Sequence, residues 1–578
     1  MPSAIKKCLD KNEKKYIEHN LIAYIGNKRR LLPLLEKAIN HLNDYGSQAI
    51  SKNGYFIDLF AGTGVVSRFA KSIGFRVISN DWEYYSYIIN KSFIENNKNF
   101  FSLFQKEGGI EAVLNRLNKL TGYRPANSYI ASYYCPQNDK NPDTAHERLF
   151  YTRQNGILID NIRAGIDKLY PPYKNKQNRF KNHFLLSLLL YEASRRSNTS
   201  GVFKGFHNGF GGKGKDALKR ILSPVKLEKP CLSSQKKRCK VFKSDAVRLA
   251  HRLKKIKAEV IYLDPPYNQH QYGSNYHLLN TIAKNDQPPV SKKYRFHNKV
   301  IDKSAIRKDW IKTRSSFCYR QSAVADFKKL VNDVNSKYLM ISYSTEGIIP
   351  FKDMLDILAA KGRIGIVTTG YVRYRGGRQA NTTKNKNIEF ILLVDTALKC
   401  RPCDINNVKK IILDNNFNNI FEETFPLRLH NNDYRIIINE NGYNIKLLEE
   451  NITLALDDCL RLRPDRNKEF NSLDYKKKKK LYNKINSYLI KTNADEVVYL
   501  IKTLGSGKLL INRNYLLRRL IRLYRKINPQ KNRLKYQEIT ALLKKEVSYN
   551  SVFSQNKKLL GKLKASLTEK QKSLTSAA

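Results

Sequence analysis

Short, continuous apolar runs bounded by Gly, Asn or Asp are the most regular feature of this chain. Tyr55-Phe56-Ile57-Asp58-Leu59-Phe60 is the first, and it ends in Ala61-Gly62-Thr63-Gly64. A stretch of helical spacing, Val65 to Ser72, follows it, and then a second run, Phe75 to Ser79, that ends at Asn80-Asp81. Runs this short and this apolar predict strands covered on both faces. Strand, tight loop, helix and strand in succession predict the start of a doubly wound α/β sheet. Further buried-strand patterns come late, at Val260 to Leu263, Tyr338 to Ser342, Ile364 to Thr368 and Ile388 to Val394.

Between these clusters the alternation breaks. Residues 101–240 hold a predicted helix (Phe150 to Leu169), an apolar helix (Phe184 to Ala193) and a loop with six glycines from Gly201 to Gly214. They are expected to be an insertion that divides a core of residues 15–100 and 241–399. Beyond about residue 400 the parallel-strand pattern stops, although Tyr434 to Ile438 followed by Asn439 to Gly442 reads as a hairpin. From Arg461 the pattern is helical. Leu516, Leu517, Leu520, Leu523, Tyr524 and Ile527 recur at three- and four-residue steps, an apolar helical stripe.

Charge narrows the partner. The chain has 578 residues, with 106 Lys and Arg against 50 Asp and Glu, a formal net charge of +56. Such a surplus points to a polyanion, nucleic acid before an anionic membrane. Residues 461–578 alone carry 30 basic and 8 acidic side chains, so 400–578 is expected to be a basic, mostly helical region that assists DNA binding. An apolar fraction of 41% excludes a wholly disordered basic protein. The longest apolar run, Phe184 to Tyr191, is far short of a membrane span of about 18 residues. Eight scattered cysteines form no disulfide framework, which favours a reducing cytosol.

Two motifs carry chemistry. In Asp58-Leu-Phe-Ala-Gly-Thr-Gly64 the glycines allow a close backbone approach, and the following helix N-terminus favours negative charge. Asp81, 23 residues after Asp58, ends the next strand, where a carboxylate can accept bonds from ribose hydroxyls. A nucleotide-like ligand follows, although a tight turn in any α/β protein would share the glycines. The second motif is Asp264-Pro265-Pro266-Tyr267, directly after Val260 to Leu263. Consecutive prolines remove donors and leave carbonyl acceptors. A carboxylate, a carbonyl and an aromatic ring within four residues suit the grip of a planar exocyclic amine, with the ring stacked on its base.

Together these motifs resemble those of S-adenosylmethionine-dependent DNA adenine-N6 methyltransferases. Tyr24-Ile-Gly-Asn-Lys28, upstream of the glycine loop, resembles the N-terminal motif of the alpha, Dam-like class. Asn268 to His277, Ser342 to Gly347 and the basic hairpin from Thr368 to Glu389 resemble a restriction-modification subgroup. The likeness covers about residues 20–395. It implies a Rossmann-like class I methyltransferase sheet and S-adenosylmethionine as cofactor. Tyr24 and Lys28 would lie at the cofactor's methionine end, with Lys28 near its carboxylate. Asp58, Phe60, Ala61, Gly62, Thr63 and Gly64 would wrap the methionine part, Asp81 would bind ribose, and Asp245 would contact adenine unless it only opens the helix Ala246 to Leu253. Asp264, Pro265, Pro266 and Tyr267 would act on the flipped base. No metal is implied.

The expected partner is double-stranded DNA, with a separate restriction endonuclease possible, in a bacterial or phage-encoded cytoplasmic setting at the nucleoid. Pro464-Asp465 lacks the downstream Glu-x-Lys of a nuclease core, which argues against a fused endonuclease. Gly201 to Lys215 is a candidate for following phosphates and filling the gap left by a flipped base, and Tyr371 to Arg378 for backbone contact. Tyr276 and His277 read as packed core. An RNA adenine methyltransferase, or an inactive methyltransferase scaffold that binds nucleic acid, remain the alternatives.

Overall fold

The computed structural model describes residues 9–122, 128–212, 214–296, 299–368, 388–421, 434–439, 442–448, 451–457, 461–463, 472–490, 492–505, 513–527 and 533–549, with 561 and 565. Two compact units result. The first is formed by the residues up to Thr368 and Glu389–Asn406, and the second holds the described residues from Asn407 onward.

The first unit is built on β1 (Tyr55–Asp58), β2 (Arg76–Asp81), β3 (Lys240–Lys243), β4 (Ala258–Leu263), β5 (Arg295–Phe296), β6 (Lys299–Val300), β7 (Ser336–Ser344), β8 (Arg363–Thr368) and β9 (Glu389–Asp395). Seven of these make one sheet in the order β3-β2-β1-β4-β7-β9-β8, and β5 pairs only with β6. All neighbours run parallel except at β9, which is antiparallel to both β7 and β8. This is the doubly wound α/β sheet that the apolar runs predicted, in the Rossmann-like form that the resemblance implied. The central strands are covered on both sides, so Phe56, Ile57, Val260, Ile261, Leu339 and Met340 are all buried.

Local pattern and structure differ where burial is one-sided. The edge strand β3 carries no strand pattern because Val241-Phe242 is flanked by lysines; its register comes from pairing with β2. The helices Arg153–Leu169 and Lys176–Arg196 run between β2 and β3 and pack on each other. The second extends well past the apolar stretch because charged residues fill its first turns. In the glycine loop, Phe203 and Phe206 point into the core, and Asn198 ties the loop down through Leu149, His207, Gly209 and Gly211. Those two rings are spent on packing, and among the described residues of the loop Lys204, Asn208 and Lys215 have exposed side chains.

In the second unit, β10 (Tyr434–Asn439), β11 (Gly442–Leu447) and β12 (Ile452–Ala455) form an antiparallel sheet, one strand more than the expected hairpin. Helices Tyr475–Tyr488, Asn493–Gly505, Arg513–Tyr524 and Arg533–Tyr549 follow. All six residues of the apolar stripe are buried, in a core shared with Leu500, Ile501 and Ile539. The basic side of that stripe is not uniform. Arg519 turns inward onto the buried Glu496, and Lys478 is held by Asp414 at 2.8 Å. Among the described residues no helix is long and apolar enough to cross a membrane.

Candidate active site

Because β1 lies between β2 and β4, the loops leaving their carboxyl ends meet at one edge of the sheet. The loop after β1 folds on itself and on β2. Ala61 N donates to Asn80 O at 2.9 Å, and Gly64 N to Ala61 O at 2.7 Å. Gly62 has φ +51°, and a Cβ there would lie 2.8 Å from the ring of Tyr24. At Gly64, with φ +78°, a Cβ would strike Asn90 Oδ1 at 2.3 Å. Both positions therefore require glycine.

Asp81 organises this loop. Its Oδ2 accepts from Gly62 N and its Oδ1 from Glu83 N, each at 2.8 Å. Burial pushes its carboxyl up to about 7, against the pull of those amides. Asp58 lies beneath the loop, accepting from Ser67 Oγ at 2.7 Å and from Phe60 N at 3.3 Å. Burial pushes it also up to about 7.

The turn after β4 brings Asp264 against Lys28, Oδ1 to Nζ 3.0 Å. Burial raises Asp264 to about 6, while Lys28 pulls it down and Glu389 pushes it up. Lys28 Nζ also lies 5.6 Å from the centre of the Tyr267 ring. That ring meets Tyr343 edge-on, at 6.5 Å and 85°, and Tyr267 O accepts from Ile348 N at 3.1 Å. The stretch Ser342 to Gly347 thus buttresses the Asp-Pro-Pro-Tyr turn.

These loops enclose one cleft of about 920 Å³, open water at its mouth included. Tyr24, Lys28, Phe60, Ala61, Gly62, Thr63, Asp81, Asp245 and the four residues Asp264 to Tyr267 all line it. Asp58 and Gly64 do not; they shape the loop from below. Lys28, expected at a cofactor carboxylate, is engaged by Asp264. Asp245 caps the helix Ala246–Leu253 by accepting from Arg248 N, so one of its oxygens serves the backbone. Tyr371 to Arg378 lies outside the described residues.

Sequence reasoning missed other parts of the wall. Trp82 and Glu83 directly follow Asp81, a position that could have flagged them. Gln271, Tyr272, Thr313, Ser315 and Phe317 also line the cleft. Gln271 pins Ser315 with two bonds, Nε2 to Ser315 O at 3.1 Å and Ser315 N to Oε1 at 2.8 Å. Phe317 then meets Phe60 edge-on at 5.3 Å. No periodicity marks the segment 310–318. Tyr276 and His277 are buried as expected; His277 binds Phe203 O, and burial holds its imidazole down at about 4.

A mostly parallel sheet with one reversed strand, and a glycine loop and an Asp-Pro-Pro-Tyr turn facing one cleft, define a Rossmann-like methyltransferase. The family described as D12 class N6 adenine-specific DNA methyltransferase matches residues 24–354, and the chain belongs to it. The type II methyltransferase M.NlaIII of Neisseria lactamica is 32% identical over 369 residues, 64% of this chain and 96% of that protein. The modification methylase StsI of Streptococcus sanguinis is 33% identical over 374 residues, 64% of this chain and 51% of StsI. The type II methyltransferase M.FokI of Planomicrobium okeanokoites is 28% identical over 383 residues, 65% of this chain and 53% of M.FokI. The chain therefore spans about half the length of StsI and M.FokI and nearly all of M.NlaIII.

Proposed function

We propose that this chain transfers a methyl group from S-adenosylmethionine to the exocyclic N6 of adenine at specific sites in duplex DNA, as the modification enzyme of a cytoplasmic restriction-modification system. The observation that carries this reading is the Asp264-Lys28 pair in the Asp-Pro-Pro-Tyr turn, facing the same cleft as the Asp81-anchored glycine loop. The cleft suits the cofactor: Asp81 offers acceptor lone pairs at the end of β2, and Tyr24, Phe60, Trp82 and Phe317 line it with aromatic surface. When bound, S-adenosylmethionine supplies an electrophilic methyl group on a positively charged sulfur.

The chain's own residues do the rest. Tyr267 presents a ring on which the flipped base can stack. The Asp264 carboxylate and the Pro265 carbonyl accept the hydrogens of the target amine, whose lone pair is otherwise delocalised into the ring. They stabilise positive charge developing on nitrogen, and Asp264 can take up the proton that the nitrogen sheds. Lys28 favours the ionised Asp264 against the cost of burial. Expression in a methylation-deficient bacterium, followed by modified-base sequencing, tests the proposal: N6-methyladenine at one recurrent sequence is expected. Labelling of total RNA but not DNA would replace it with an RNA methyltransferase. A companion endonuclease would cut the same sequence when unmethylated.

The second unit supports auxiliary DNA binding. Arg518 and Arg522 lie one turn apart on the helix Arg513–Tyr524, Arg525 follows directly after it, and all three are exposed, as are Lys476, Lys477, Lys479 and Lys480. Such cations neutralise phosphates without reading bases. The substitution set R518E/R522E/K476E/K479E in the full chain should weaken DNA binding. It should also flatten the slope of log affinity against log salt by about 0.9 for each phosphate that is no longer neutralised. The methylated sequence should not change. An unaltered slope would remove DNA binding from this surface.

A further inference from the structure

The reading above relies on Tyr24 and Lys28, yet residues 24–27 belong to no strand or helix. Backbone N–H groups in such a segment need partners from elsewhere in the molecule. Here the partner comes from the segment that carries the Asp-Pro-Pro-Tyr turn. The hydroxyl of Tyr276, 12 residues after Asp264 and fully buried, accepts from Ile25 N at 2.7 Å. Its ring stacks on Tyr24 at 4.7 Å and 16°. Tyr272 stacks on the other two rings, at 5.1 Å from Tyr24 and 6.2 Å from Tyr276. Gly26 has φ +74°, and its Cα faces the hydroxyls of Tyr267 and Tyr272, close enough that a Cβ would touch both. Behind Tyr276, Tyr85 and Phe203 close the packing at 5.6 and 6.5 Å.

A phenylalanine would fill the Tyr276 site equally well as a hydrophobe. The hydroxyl adds a fixed acceptor for a loop amide. That bond closes a circuit: Tyr276 holds Ile25, the Tyr24–Lys28 segment carries Lys28, and Lys28 meets Asp264 on the same segment as Tyr276. We infer that Tyr276 is a positioning residue for methyl transfer, fixing residues 24–28 so that the Lys28 ammonium stays on the Asp264 carboxylate. The inference rests on the methyltransferase reading and adds a residue that reading does not need for any contact with substrate or cofactor.

The test uses full-length protein and the variants Tyr276→Phe, Lys28→Met and the double variant. Tyr276→Phe is expected to lower kcat by about tenfold, the loss of one buried hydrogen bond that fixes a catalytic group. If it acts through Lys28, the double variant will be no slower than Lys28→Met alone. The Asp264 carboxyl, followed by carbon-13 NMR with labelled aspartate, should titrate about one pH unit higher in Tyr276→Phe, because a weakened cation neighbour favours the protonated acid. The other groups facing Asp264 are Glu389, Asp58 and the phenols of Tyr262, Tyr272 and Tyr343. None of them is altered by these variants. Additive losses, an unchanged Asp264 titration, or wild-type kcat in Tyr276→Phe would each overturn the inference. A loss of rate that only tracks a lower melting temperature would overturn it too. Should the wild-type protein methylate no adenine, the functional reading fails on its own, and the titration still decides whether Tyr276 holds Lys28 in place.

Discussion

Methyl transfer is expected to fall by at least ~10³ when Asp264 is replaced by Ala or Asn, because its carboxylate is the charged acceptor proposed for the target amine. Asp264→Ala also strands Lys28, which is 7% exposed, without its partner. Asp264→Asn keeps the shape and an acceptor oxygen and separates lost chemistry from lost folding. Cofactor affinity, measured by calorimetry with S-adenosylhomocysteine, should stay within about tenfold in the Asn variant, since the proposed contact is to the base. Substantial turnover by either variant would remove Asp264 from the reaction. The same group sets a pH dependence. With its carboxyl raised to about 6, the ionised form prevails above that value and is lost below it. The rate should therefore hold on the alkaline side and fall by about tenfold per pH unit on the acid side. An acid limb centred near the ordinary aspartate value would contradict the burial of this site.

Replacing Asp81 with Ala should raise the cofactor's dissociation constant by a factor of ~10² or more. Loss of a single ribose hydrogen bond would account for about 1.5–3 kcal/mol. The structure adds a second cost. Both oxygens of Asp81 hold loop amides, Gly62 N and Glu83 N, so the variant also releases the turn whose shape depends on Gly62 at φ +51°. Asp81→Asn is the informative comparison, because its amide oxygen can still accept from one of the two N–H groups while its nitrogen leaves the other unpaired. It should fall between Ala and wild type. Calorimetry of both variants checks this. An Asn variant with wild-type affinity would show that the loop stands without the carboxylate, and would leave Asp81 no more than a surface acceptor.

The parts of this molecule that the sequence determined are those governed by neighbours along the chain. Apolar runs of strand length predicted six of the seven strands of the main sheet, since a strand covered on both faces is apolar at every position. The glycine loop was legible because only glycine adopts the left-handed backbone at residues 62 and 64. The Asp-Pro-Pro-Tyr turn was legible because its acceptors and ring lie within four residues. The stripe from Leu516 to Ile527 was legible because a helix repeats every 3.6 residues. Everything set by contacts between distant residues waited for the tertiary structure. Lys28 and Asp264 are 236 positions apart, and no local pattern tells a lysine that binds a cofactor from one that binds the carboxylate of Asp264. The reversal of β9, the placement of Phe317 over Phe60 and the inward turn of Arg519 and Lys478 are of the same kind. A charge, a ring or a strand direction acquires its role from what packs against it, and that partner is chosen by the burial of the whole unit and not by spacing along the chain.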